Sequence, residues 1–306
     1  MLSLKKWVVC LDLSNMDDAV ISYLDFFSNI YKPESIEFLH VVQSYNIFSE
    51  LVEEFPELES EEELNKAITD RLREKVEENF HHDGITINYR IQKGSATNNI
   101  IKMMEKEVPD LLVMGKKGSY KGQGVLAARI AKYVPCSILF VPELARPNLE
   151  NITVPIDFSE QSELAASFAL ELVKPAKGDV VAQHIYKEES QFFPYMPDKA
   201  ALKKQEEELR KKKEAFLKKI KDVKGTDLSV EITLHEDGKY SDDIYDLAVS
   251  NNTDMILVFS KARKNLMSMI SDKLPDLMVN YYFGVPLLIV KNKERNKKFF
   301  QNFIKG

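Results

Sequence analysis

The residues of this chain best suited to chemistry lie in the string Gly115-Lys116-Lys117-Gly118. Two glycines three apart let a backbone turn tightly and approach a ligand, presenting N–H groups to an anion such as a phosphate. Lys116 and Lys117 favour the same anion. The string reads equally well as an exposed, solvated turn. Asp12 is the second candidate. It closes the apolar run of WVVCLDL and precedes a helical pattern, where an Asp either contacts a ligand or satisfies nearby backbone N–H groups.

Other chemistries find less support. No G-x-x-x-x-G-K-[ST] loop and no G-x-S-x-G elbow occurs. Gly122-Gln-Gly124-Val-Leu-Ala127 matches the letters of a dinucleotide fingerprint. That fingerprint belongs directly after a strand, and the preceding strand is expected to end near Met114. Histidines stand at 40, 81, 82, 184 and 235. His81 and His82 are adjacent and would point apart on a helix. His40 and His184 recur at equivalent strand ends, which suits a structural role. No catalytic residue and no metal ligand is assigned, and hydrolysis, if any, is expected to be slow and incidental.

The elements that must position these residues form a repeat. WVVCLDLSNMDDAVISYLDFF is echoed by ITVPIDFSEQSELAASFALEL from Ile152, so Asp12 matches Asp157. LHVVQ at Leu39 matches QHIYK at Gln183, and IQKGSATNNIIKMMEKEVPDLLVM matches LHEDGKYSDDIYDLAVSNNTDMILV. SILFVPE matches LLIVKNK. Blocks recurring in one order imply two copies of one unit: residues 1–143 and 151–306, joined by a polar linker at 144–150.

Within the first unit, short valine-rich runs read as buried parallel strands at 7–11, 36–42, 85–91, 111–114 and 137–141. Helical patterns lie between them. Leu64, Ile68, Leu72, Val76 and Phe80 form one stripe, and Ile100, Ile101 and Met104 another. Pro109 bars helix continuation. Strand and helix alternate throughout, which predicts an α/β fold of two tandem Rossmann-like, doubly wound, five-stranded parallel-sheet domains.

Both units resemble the universal stress protein family over nearly their whole length. The markers are LDLS and IDFS, His-Val or His-Ile at the second strand, the Gly of IQKGSA, and Pro109-Asp110-Leu-Leu-Val-Met-Gly115 through Tyr133-Val-Pro-Cys136-Ser-Ile-Leu-Phe-Val. The resemblance implies a regulatory stress protein binding ATP or AMP, with Mg, in the first domain. ATP-binding members carry Gly-x2-Gly-x9-Gly-Ser/Thr. Gly115 and Gly118 fit the first pair, and Ala128 and Arg129 stand where Gly and Ser/Thr are the rule. Arg129 either adds a charged fork to a phosphate or fills the site and excludes ligand. By the same resemblance, Asp12 and Val41 border adenine and ribose, with Met114 and Ile130 nearby. The second unit keeps Asp157 and has Ser260 and Arg263 near the expected loop glycines, so it is expected to be a structural partner. The alternative reading is a protein-interaction scaffold that binds no nucleotide.

The resemblance also implies pairing of SILFV with LLIV, making the two domains an intramolecular pseudo-dimer; a homodimer is left open. The net charge of −6 argues against nucleic acid. No run approaches the ~18 apolar residues of a membrane span. Cys10 and Cys136, the two cysteines, suit a reducing, cytoplasmic setting. The basic-aromatic tail with Phe299, Phe300, Phe303 and Ile304 either packs on its own chain or docks elsewhere.

Overall fold

The computed structural model describes residues 4–42, 60–107, 109–118, 123–187, 199–224, 228–236, 239–260, 279, 281 and 283–291. Two units emerge: residues 1–148 with 278–291, and residues 149–277 with 292–306.

The first unit runs β1 (Lys6–Leu11), α1 (Met16–Tyr31), β2 (Ser35–Val42), α2 (Glu61–Glu77), β3 (Thr86–Lys93), α3 (Ala96–Glu107), β4 (Leu111–Lys116), α4 (Gln123–Tyr133) and β5 (Ser137–Pro142). Its strands lie in the order β3-β2-β1-β4-β5, all parallel. The central strands are apolar on both faces because helices cover them: α1 packs on β4 and β5, and α3 on β2 and β3. Trp7, Val9, Phe38, Leu112, Val113 and Phe140 are all buried.

Helix α2 shows why the charged stretch folds. Ser60 accepts from the Glu63 N–H at 3.2 Å while the Glu63 carboxylate accepts from the Ser60 N–H at 3.1 Å, a reciprocal cap. Leu64, Leu72 and Val76 then face the core, with Phe80 just beyond the helix. Ile68 is only half-buried. Most of the charged residues stay in water, while Lys75 is largely covered and pairs with Asp18 of α1 at 2.6 Å.

The second unit repeats the scheme with β6 (Asn151–Ile156), α5 (Glu160–Val173), β7 (Asp179–Tyr186), α6 (Lys199–Lys224), β8 (Ser229–Leu234), α7 (Tyr240–Ser250) and β9 (Met255–Ser260). Its strand order is β9-β6-β7-β8, again parallel. The architecture is thus α/β, with a mostly parallel sheet and alternating strand–helix units.

The last strand, β10 (Leu287–Lys291), departs from the parallel rule. It pairs antiparallel with β5, Leu287 opposite Phe140 and Ile289 opposite Ile138, the pairing expected of LLIV and SILFV. Lys291 anchors it. Its buried ammonium donates to the carbonyls of Ala131 and Val134 (the latter at 2.6 Å), satisfying orphan groups at the end of α4.

One marker shared by the repeats is architectural. Asp110 accepts from the N–H groups of Lys5 and Lys6 at 2.9 and 3.0 Å. Asp254 accepts from Glu150 and Asn151 at 3.0 and 2.9 Å. In each repeat this carboxylate ties the entry of the fourth strand to the entry of the first.

Candidate functional site

In an open parallel sheet, ligands bind outside the carboxyl ends of strands where the strand order reverses. In the first unit that point lies between β1 and β4. Register brings the candidates towards it: Leu11 pairs with His40 and Cys10 with Met114, and Asp12 follows just beyond the end of β1.

Asp12 is exposed. Its Oδ1 accepts from the Ser14 N–H at 3.1 Å, and its Oδ2 meets the Lys117 ammonium at 3.1 Å. Burial alone would push this carboxyl up. Hydrogen bonds from Ser14 and Lys117, with the lysine charge, bring it below its ordinary value and keep it ionised. Both readings of Asp12 are therefore visible: it satisfies a backbone N–H and still presents a charged oxygen.

The loop is wound tightly. Leu13 has φ of 62°, a conformation costly for a side chain with a Cβ. What holds it is Asp17, whose buried carboxylate accepts from the N–H groups of Asp12 and Leu13 at 3.1 and 2.7 Å. Burial pushes the Asp17 carboxyl up to about 6. Sequence reading passed over Asp17; the visible signal was one of two adjacent acids in a first helical turn, where the second repeat has Ser162.

Gly115 requires a correction. Strand β4 does not end near Met114 but runs through Lys116, with Gly115 opposite Val141 and Lys116 opposite Pro142. Gly115 is a strand residue. A Cβ there would lie 2.7 Å from Cγ of Met16 and 3.3 Å from Cγ2 of Val20, so the missing side chain admits α1. Lys116 also has a local partner: its ammonium donates to the Tyr281 carbonyl, and burial pushes its pKa down to about 8.

The remaining candidates spread along neighbouring elements. Val41 is half-buried in β2, and Met114 is buried in β4. Gly118 is half-buried just beyond β4. On α4, Ala128 is half-buried, Arg129 exposed and Ile130 buried. Arg129 makes no hydrogen bond or ion pair with the described residues. Gly122, Gly238, Arg263, the stretch holding Met267, Met269 and Ile270, and the tail aromatics lie outside the described residues, as does the side chain of Ser260.

His40, His82 and His184 have structural partners. His40 Nδ1 lies 2.9 Å from the Leu11 carbonyl, and His184 Nδ1 lies 3.0 Å from that of Ile156. His82 sits between Ser28 and Asp25, and His81 and His82 follow α2 rather than lying on it. Among the described residues, no group of three or more His, Cys, Asp or Glu is placed to hold a metal, and no helix is long and apolar enough to cross a membrane.

The second unit has a crevice at the equivalent edge, about 180 Å³ in volume, lined by Asp157, Ser159, Gln183, Ile185, Tyr240 and Phe259 among others. Asp157 repeats the role of Asp12. Its Oδ1 accepts from the Ser159 N–H at 3.0 Å beside Phe158 at φ 61°. Ser162 replaces Asp17, accepting from the Asp157 N–H at 2.9 Å and donating to its carboxylate at 2.7 Å.

Comparison with known proteins agrees with this duplicated geometry. The chain resembles solved structures along its full length. A universal stress protein from Archaeoglobus fulgidus matches with a TM-score of 0.61 at 18% identity, over 96% of this chain and 98% of that one. A universal stress protein assigned in Pseudomonas aeruginosa matches with a TM-score of 0.61 at 11% identity, over 99% and 97%. A search of curated proteins finds no match. The family model for the universal stress protein family matches twice, over residues 4–142 and 148–273, and the chain belongs to that family.

Proposed function

We propose that this universal stress protein is a cytoplasmic regulator that binds an adenine nucleotide, ATP or AMP with Mg, at the carboxyl edge of β1, β2 and β4. The observation that carries the reading is Asp12 just beyond β1 at the point where strand order reverses, held ionised beside Lys117. Asp12 would accept from a ribose hydroxyl. Lys117 would move from Asp12 to a phosphate, since its ammonium already reaches the edge of the site. Gly118 would offer backbone, and Ala128, Arg129 and Ile130 would flank the phosphates from α4. The role is binding rather than catalysis. The domains follow the repeat, residues 1–143 and 151–306 about a linker at 144–150. The pairing of β5 with β10 supports an intramolecular pseudo-dimer.

Isothermal titration of the full chain with Mg·ATP and with AMP tests this. Saturable binding lost in Asp12→Ala is expected. Absence of heat at ~100 μM protein, enough to detect a Kd of tens of μM, overturns it.

A second reading is a scaffold without nucleotide. It is favoured by the 3.1 Å Lys117–Asp12 pair, which closes the carboxylate from within. Arg129→Ser separates the two. Binding seen only in the variant makes Arg129 a plug; binding lost in the variant makes it a ligand.

A further inference from the structure

Gln183 is out of character with its place. It lies in the middle of β7, is completely buried, and stands where the first repeat has the buried Leu39. A buried amide is stable only if both its ends are bonded. Its Nε2 is well served, donating to the Thr233 hydroxyl at 3.0 Å and to the Asp243 carbonyl at 3.0 Å. The second contact settles the orientation of the amide, because a backbone carbonyl only accepts and the nitrogen must face it. Oε1 is thereby turned away from β8 and α7, and it has no hydrogen-bond partner among the described residues. Gln183 lines the crevice of the second unit.

The rest of that crevice agrees in chemistry. Asp157 contributes a carboxylate, and Ser159 and Ser162 contribute hydroxyls. Hydrogen bonds from these serines outweigh burial and hold Asp157 below its ordinary value, so it is charged at neutral pH. Ile185, Tyr240 and Phe259 supply an apolar and aromatic wall, and aromatic faces attract cations. Among the described residues, no Lys, Arg or His lines it. The crevice volume of about 180 Å³ lies below the ~300–1,000 Å³ typical of cofactor sites, which suits a small occupant.

We propose that the second unit carries a binding site for a small organic ammonium compound, whose N–H groups are received by Gln183 Oε1 and Asp157 and whose short apolar body lies against Ile185, Tyr240 and Phe259. The site is absent from the first unit because Leu39 offers no acceptor. It stands apart from the nucleotide reading, which concerns the other repeat.

Isobutylamine, isobutanol and AMP serve as probes of the full chain, each titrated while the amide and side-chain NH₂ signals are followed by NMR. Isobutylamine is expected to saturate and to shift the Gln183 side-chain NH₂ signals, with isobutanol at least tenfold weaker. Gln183→Leu, which installs the first repeat's residue, is expected to weaken isobutylamine at least tenfold. Should that variant fail to fold, Asp157→Asn decides. It keeps the oxygen that caps the Ser159 N–H, removes the charge, and is expected to weaken isobutylamine about tenfold with an otherwise unchanged spectrum. Equal binding of isobutanol, undiminished binding in either folded variant, absence of binding, or AMP alone perturbing the second-unit crevice each overturns the proposal.

Discussion

The loops after β1 and β6 are the same object built with different supports. In both, the middle residue is left-handed, at φ 62° for Leu13 and 61° for Phe158. In both, the preceding Asp accepts from the following Ser N–H, and a histidine from the next strand bonds a nearby carbonyl. The difference lies beneath. The first loop rests on the ionisable, buried Asp17, and the second on the neutral hydroxyl of Ser162. Backbone geometry is what the repeats share, and the group that satisfies it is where they diverge. A charged support accepts two N–H groups at once but brings a desolvation cost and a pH dependence; a hydroxyl accepts one and brings neither.

The sharpest way to break the comparison is to remove each support. Asp17→Ala leaves two N–H groups without an acceptor and is expected to destabilise the first unit by ~2–4 kcal/mol, against ~1–2 kcal/mol in the second for Ser162→Ala. Amide hydrogen exchange of β1 and β6 reads each unit separately. Equal losses would show that the supports are equivalent.

Gly115 tests packing at the same edge. The second repeat has Phe259 at that position and Gln161 where the first has Met16, so bulk moves from helix to strand. Gly115→Ala is expected to cost ~1–3 kcal/mol by overpacking. Met16→Ala in the same chain should recover part of it, giving a double-mutant cycle that falls short of additivity.

Acidity sharpens the comparison further, because the two repeats should respond with opposite sign. The Asp17 carboxyl is raised from 3.8 to about 6. The folded state therefore binds more protons than the unfolded state between those values, and this contribution is lost as pH rises through about 6. Lowering pH from 7 to 5 should strengthen the first unit by ~1 kcal/mol, and Asp17→Asn should abolish the gain. In the second unit, burial lowers the His184 pKa below 6.5. There the unfolded state binds more protons, and acidification through 6.5 should weaken β6 and β7. Parallel responses in the two units would overturn one of the two assignments.

The smallest effect expected is at Leu13. Asn tolerates the left-handed region better than Leu, and Leu13 is only half-buried, so Leu13→Asn should change stability by no more than ~0.5 kcal/mol. Phe158 has no such freedom, since its ring packs on His184 at 4.3 Å and edge-on against Phe216 at 5.7 Å.

By itself the sequence determined the duplication, the order of strands and helices, and the family. Those follow from apolar runs, stripes and recurring blocks, which are local patterns that burial imposes on any chain adopting this fold. It also foretold the pairing of SILFV with LLIV. Only the tertiary structure decided what individual polar residues do. Gly115 read as part of a phosphate loop, but the close approach of α1 accounts for it. Lys116 read as a cation for phosphate, and it bonds the carbonyl of Tyr281, 165 positions away. Asp17 looked like one of two acids in a helical first turn. Gln183 was visible as a replacement for Leu39, yet nothing local showed that its nitrogen would be fully bonded and its oxygen left without a partner among the described residues. Hydrogen-bond partners come from distant segments brought together by packing, so their identity is settled only when the whole chain has folded.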